Sequence, residues 1–194
     1  MFILASSSLT RKSLLKNAGL TFSSSAPLVD ETALHQKYAE QLPIPLTLKL
    51  ASEKASSISS QYPKKIVVGV DQILHLENQV YHKPETINQA REMLLKLRGK
   101  THHLTTAISC FENNEEIWSF YDQAKMSMRD FSDSFLEHYL LTDGNKSLAS
   151  AGAYQLEAAG LQLFEKIEGD YFTILGFPLI EFLKFLRNRA VIES

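Results

Sequence analysis

The 194-residue chain carries a single cysteine, Cys110. No intrachain disulfide can form, which excludes a disulfide-stapled secreted scaffold and points to a reducing compartment. Cys110 stands in an apolar run from Ala107 to Phe111, the setting of a buried, inert thiol rather than a nucleophile. No apolar stretch approaches the ~20 residues that a membrane-spanning helix needs. The opening Met1 to Ala5 turns polar at Ser6 and no basic residue precedes it, so it is too short for a secretory signal core. The expectation is a cytoplasmic protein with no membrane partner. Net charge is scarce as well: 20 Lys and Arg against 22 Asp and Glu leave −2. That excludes a broad basic field for stable nucleic-acid binding, so any cationic site must be local. A Walker-type phosphate loop, a Cys/His metal cluster, a defensible Ser/His/Asp order and an internal repeat are all absent.

What is present is ordinary globular material, 44% hydrophobic and 22% charged, enough for one domain or one domain with two lobes. Residues 1 to 5 read as a short buried strand. Three serines follow, then an apolar pattern at Leu14, Leu15 and Ala18 that Gly19 stops. Leu48, Ala51, Ala55 and Ile58 mark an amphipathic helix entered through Pro43 and Pro45. Lys65 to Val70 is a β-branched strand that Ile73 to Leu76 continues, with Gln79 to His82 returning beside it. Ile87, Ala90, Leu94 and Leu97 give a helix ended by Gly99. His103 to Phe111 and Ile117 to Met128 read as two long strands about a polar turn. Ser134 to Leu141 reads as a helix with Ser134 and Glu137 spaced as a capping box, and Gly160 to Ile167 as a short helix. Pro178 opens a last helix whose face is Leu179, Phe182, Leu183 and Leu186. Adjacent strands within an alternating pattern predict a mixed sheet with helices on both sides.

Four segments could carry chemistry. Ser6, Ser7, Ser8, Thr10, Arg11 and Lys12 lead into a helix, whose first amides can bind an anion. Arg11 can grip a phosphate bidentately and Lys12 can act as a point charge, unless this is simply a capped helix with a solvated basic turn. Asp30-Glu31 after Val29 suits a hard, oxygen-loving cation or an exposed turn equally. Asp71 follows a buried apolar run, where a carboxylate is costly without a partner, and is the leading general base or metal ligand. Lys54 and Lys83 add cations near turns, and Ser150 to Glu157, with Gly152 and Gly160, lets backbone come close to a ligand. Anionic groups for a metal together with cations for a polyphosphate are the equipment of phosphoryl or nucleotidyl chemistry.

The same segments resemble the Maf family in order and spacing over nearly the whole chain. The matching blocks are Leu4 to Arg11, Val29 to Glu31, Lys54-Ala55, Gly69 to Asp71 with Lys83-Pro84, Gly99 to Thr106, Ala151 to Tyr154 and Gly176 to Leu179. The resemblance implies one Maf-like α/β domain over residues 1–194: an elongated mixed sheet flanked by helices, with two lobes around a cleft, as in inosine triphosphatases. It implies a homodimer that uses Mg²⁺ or Mn²⁺ and hydrolyses a nucleoside triphosphate between the α- and β-phosphates, keeping non-standard nucleotides out of nucleic acids. Asp71 falls on the family's proton acceptor, Arg11, Lys54 and Lys83 on triphosphate-facing positions, and Glu31 on an acidic site position. Asp71 and Glu31 would hold the metal, and Ser6, Ser8, Thr10, Arg11, Lys12, Gln72 and Glu157 would bind substrate.

Departures fall at Leu9 and Thr10, which replace a proline and the first arginine, and at Ser150, which replaces a lysine. Gln72 and Glu157 match the branch acting on 7-methyl-GTP rather than the dTTP/UTP branch, whereas Thr10 stands where that branch often has tryptophan. The alternatives are a pyrimidine or broad-range pyrophosphatase, or a non-catalytic nucleotide-binding regulator of cell division.

Overall fold

A computed structural model describes residues 1–148 and 150–193. In chain order the elements begin β1 (Phe2–Ala5), α1 (Leu9–Asn17), β2 (Phe22–Ser25), α2 (Glu31–Lys37), α3 (Pro43–Ser59), β3 (Val67–Leu76), β4 (Gln79–Tyr81) and α4 (Ile87–Leu97). They continue β5 (Thr101–Glu112), β6 (Glu115–Met128), α5 (Asp133–Ser147), a 3₁₀ turn (Ala159–Leu163), β7 (Phe164–Glu168), α6 (Tyr171–Ile174) and α7 (Leu179–Asn188). The seven strands form one sheet in the order β2-β1-β3-β5-β6-β7, with β4 beside β3. β1 runs parallel to β2 and β3, while β3/β4 and β6/β7 are antiparallel, so the sheet is mixed, as expected. By compactness the chain divides into Met1–Gln72, Thr105–Gln123 and Asp170–Ser194 as one unit, and Ile73–Leu104 with Ala124–Gly169 as the other.

In the first unit β1 and β3 are apolar on both faces, because each face is covered. Alternate residues point to opposite sides of a strand. Phe2, Leu4, Val68 and Val70 enter one cluster with Leu15 of α1 and Leu179, Phe182, Phe185 and Leu186 of α7. Ile3, Ala5 and Val67 enter a second cluster with Ala55 and Ile58 of α3. Pro43 is the first residue of α3, where a missing N–H costs nothing. Its buried face includes Leu46, Leu50, Ala51, Ala55 and Ile58, wider than the four-residue stripe read from the sequence, with Leu48 only half-buried. Cys110 is buried, and burial pushes its thiol well up, away from nucleophilic use. The turn between β5 and β6 needs positive φ at both central residues, which asparagine tolerates: Asn113 has φ 53° and Asn114 φ 68°.

In the second unit α4 buries Ala90, Leu94 and Leu97, and packs against α5, which buries Leu136, Tyr139 and Leu140. Arg91 Nε and Nη2 donate to the two carboxylate oxygens of Glu137 at 2.8 and 2.6 Å, tying the two helices on their exposed side. Glu137 is therefore not half of a capping box. Ser132, not Ser134, caps α5, accepting from the Phe135 amide at 3.2 Å. The helix expected from Gly160 to Ile167 is instead a single 3₁₀ turn followed by β7. Its residues from Phe164 on find partners along β6, where Met126 pairs with Ile167, and sheet hydrogen bonds outweigh a weak helical period. Among the described residues no helix is long and apolar enough to cross a membrane.

His102, buried on β5, shares a 2.8 Å hydrogen bond with the Tyr154 hydroxyl through Nε2, while its Nδ1 has no partner. Burial first, then His103 and His75, push its pKa from the usual 6.5 down to about 3. The unfolded chain takes up a proton near 6.5 and the folded chain does not, so stability present above pH 6.5 is lost as pH falls toward 3. Urea unfolding across pH 6.5 to 4 is expected to show a slope approaching ~1.4 kcal/mol per pH unit from this one group. That slope should be missing in His102→Gln.

Candidate functional site

The site starts from a missing side chain. Gly69 and Asp71 lie two residues apart on β3 and share the face that α3 covers. A Cβ at Gly69 would press on the Ala51 carbonyl and come within 2.6 Å of the Ala55 nitrogen. The helix backbone can sit this low only because residue 69 has no side chain and residues 51 and 55 are alanines. One turn above Ala51, Lys54 then reaches Asp71: its ammonium lies 2.6 Å from Asp71 Oδ1, with side chains 7% and 8% exposed. The same ammonium lies 2.9 Å from Glu31 Oε1, whose side chain is 61% exposed. Asp30 caps α2 by accepting from the Ala33 amide at 3.0 Å, which presents Glu31 as the first helical residue. Asp71 Oδ2 is buried with no hydrogen-bond partner.

Asp71 is not at a strand end, as its place after an apolar run suggests. β3 continues to Leu76, and the strand that stops is the parallel neighbour, whose last pair is Ala5 with Gly69. Beyond it the chain turns into the serine loop. Ser6 is buried, and its hydroxyl accepts from the Ser8 amide at 3.3 Å. Ser8 caps α1, accepting from the Arg11 amide at 3.4 Å. The amides of Leu9 and Thr10, first in the helix, have no carbonyl one turn back to bond.

Arg11 crosses to the other face of β3. Its Nη1 donates to the Val70 carbonyl at 3.0 Å and to Ser6 Oγ at 3.4 Å, and its Nε to the Gly176 carbonyl at 2.8 Å. Burial lowers its pKa from the usual value, and the charges of Asp71 and Glu31 push it back up. Gln72, on that same face, donates through Nε2 to Thr106 Oγ1 at 2.8 Å, the Thr173 carbonyl at 2.9 Å and the Ile174 carbonyl at 3.1 Å. Its amide nitrogen is thus committed within the unit.

The fold gathers Glu31, Lys54 and Asp71 in one ion-paired group and Ser6, Ser8 and Arg11 around the start of α1. Lys12 is half-buried and Thr10 exposed. Lys83 and Glu157 belong to the other unit, where both are exposed. Reading residues one segment at a time misses Thr106, Thr173, Asp122 and the Gly176 carbonyl, which hold Gln72 and Arg11. Only the spacing of Asp170, a helix cap, to Thr173 and the glycine at 176 marked a tight turn there.

Two charges of each sign, Arg11 and Lys54 against Asp71 and Glu31, nearly cancel. A polyphosphate arriving here needs further positive charge. Among the described residues no three His, Cys, Asp or Glu side chains converge on one point. Two carboxylates with an open acceptor on Asp71 fit magnesium, which takes one or two protein carboxylates and fills its remaining positions with substrate phosphate and water.

A family model described as "Maf-like protein" matches residues 1–189. A protein of Rhizobium meliloti (strain 1021) named 7-methyl-GTP pyrophosphatase is 43% identical over 196 residues, covering 100% of this chain and 98% of that one. One of the same name from Bartonella henselae (strain Houston 1) is 44% identical over 192 residues, 99% of this chain and 97% of that one. Among solved structures the Ham1 protein of Staphylococcus aureus superposes with a TM-score of 0.40 at 14% identity, over 66% of this chain and 72% of that one. That likeness is too slight to bear on the fold.

Gly69→Ala is expected to lower stability by about 3 kcal/mol, the upper end of overpacking costs, because the obstruction is helix backbone. Gly19→Ala meets open space and suffers only its φ of +74°, so it should lose about 1 kcal/mol. Urea unfolding of the two variants checks both values, and equal losses would show that α3 can move off β3.

Proposed function

The chain belongs to the Maf-like protein family, and from that premise we propose that it is a nucleoside triphosphate pyrophosphatase that cleaves 7-methyl-GTP to the monophosphate and pyrophosphate. The names borne by full-length relatives at 43% and 44% identity support the reaction and the nucleotide. The observation that carries the chemistry is the Asp71 carboxylate. One oxygen is held by Lys54 at 2.6 Å and the other is buried and unpartnered. Such an oxygen is a proton acceptor in want of a donor, and a water aimed at the α-phosphorus supplies one.

In this reading Asp71 takes the proton from the attacking water. Lys54 keeps the carboxylate oriented. Arg11, Lys12, Lys83 and the first amides of α1 offset charge gathering on the departing pyrophosphate, with Ser6 and Ser8 shaping the loop that offers those amides. A divalent cation held by Glu31 and Asp71 would supply Lewis-acid activation of the phosphoryl group. Guanine presents two donors side by side, N1–H and the N2 amino group, and the Glu157 carboxylate can accept both. A methyl group at position 7 adds positive charge that an acid favours. With this function go a homodimer and a cytoplasmic location, for which the family resemblance of the motifs is the support.

Pyrophosphate release across a panel of 7-methyl-GTP, GTP, UTP and dTTP, with magnesium or manganese, tests the proposal. Turnover should be highest with 7-methyl-GTP and fall by ~10²–10⁴-fold in Asp71→Asn, the usual cost of losing a general base. UTP or dTTP as the best substrate would favour the pyrimidine reading. No pyrophosphate from any nucleotide would favour the non-catalytic one.

A further inference from the structure

The Gln72 amide nitrogen is held by groups of its own unit. That nitrogen has two hydrogens and faces three acceptors, Thr106 Oγ1 and the carbonyls of Thr173 and Ile174, at 2.8 to 3.1 Å. Those carbonyls close α6, a four-residue helix that cannot hold its own shape for long. Asp170 caps its start, accepting from the Thr173 amide at 2.9 Å. A left-handed Gly176, φ +93°, ends it: the Gly176 amide donates to the Thr173 carbonyl at 3.0 Å and the Phe177 amide to the Phe172 carbonyl at 2.9 Å. The Thr173 carbonyl thus accepts from Gly176 N, from Gln72 and, at 2.9 Å, from Thr106 Oγ1. The Thr173 hydroxyl, itself buried, donates to Asp122 Oδ2 at 2.7 Å. Asp122 Oδ1 accepts from the neighbouring Gln123 amide at 2.8 Å, which fixes the carboxylate on β6.

The turn built this way ends in the carbonyl that holds Arg11. Gly176 O takes the Arg11 Nε proton at 2.8 Å. A Cβ at Gly176 would lie 3.5 Å from Gln72 Oε1 and 3.6 and 3.7 Å from Arg11 Nε and Nη2, so the three residues are packed side by side. With Nη1 on the Val70 carbonyl and Nε on Gly176, the guanidinium has one orientation, and its Nη2 edge is left for a ligand. A guanidinium fork is useful to a phosphate only when it is held still.

We infer that Gln72 and Asp122 are positioning residues for the triphosphate: they clamp the Thr173–Gly176 turn, whose last carbonyl aims Arg11. The inference rests on the reading of Arg11 as a phosphate ligand given above.

A double-mutant cycle on tripolyphosphate binding, measured by titration calorimetry with magnesium present, tests it without needing turnover. Gln72→Met and Asp122→Ala should each weaken tripolyphosphate about tenfold, the scale of one well-placed hydrogen bond to a charged group. Asp122→Asn leaves one acceptor oxygen for two donors, the Gln123 amide and the Thr173 hydroxyl, and should bind between the parent and Asp122→Ala. In an Arg11→Ala background neither Gln72→Met nor Asp122→Ala should weaken binding further. A tenfold loss that persists without Arg11, or no tripolyphosphate binding by the parent, would overturn the inference. Should Gln72→Met fail to fold, the Asp122 pair decides alone. A parent that releases no pyrophosphate yet shows this cycle would sink the proposed reaction and leave the positioning role standing.

Discussion

The site depends on how closely one helix backbone approaches one strand. α3 lies low on β3 because Gly69 has no side chain and Ala51 and Ala55 have the smallest ones. At that separation a lysine on the helix reaches a carboxylate on the strand with both charges out of water. The pair is costly to desolvate, and packed apolar residues of equal volume would stabilise the fold as well or better. The contact holds a carboxylate with one oxygen bound and one unsatisfied, which a stability-driven core avoids, and this accords with the proposed function.

The two faces of β3 have different tasks. On the α3 face Asp71, Lys54 and Glu31 form the charged group. On the opposite face Gln72 and the Val70 carbonyl belong to a network of backbone carbonyls and hydroxyls with Arg11, Thr106 and Thr173. Strand alternation puts residues 71 and 72 on opposite sides at no added cost. The strand thus separates the Glu31–Lys54–Asp71 ion group from the Arg11 and Gln72 network by its own thickness. β1 stops at Ala5, short of Asp71, and the loop that follows delivers Arg11 past the end of that strand.

The elements most legible beforehand were those whose patterns are local and strong. The β-branched apolar run of β3, the proline-led α3, and the Gly19 and Gly99 helix stops all follow from side-chain shape or backbone freedom within a few residues. Where the structure differs, a distant partner decides. Phe164 to Glu168 is a strand because β6 lies beside it, and Glu137 is held by Arg91 of α4 instead of turning back to cap its own helix. A short sequence window contains neither partner.

The same division holds for the site. The sequence by itself marked the charged residues in unusual places, Asp71 after a β-branched run and Arg11 at a helix start, whereas the burial of Lys54 came from the structure. It also determined, through the order of its motifs, the family to which the chain belongs. Only the tertiary structure decided that Lys54 serves two carboxylates, that Asp71 keeps one oxygen open, and that the Gln72 amide nitrogen faces inward. These outcomes depend on distances of about 3 Å between residues 17 to 165 positions apart in the chain. Hydrogen bonds and ion pairs weaken steeply beyond such distances, so packing had to bring their partners together before either could form.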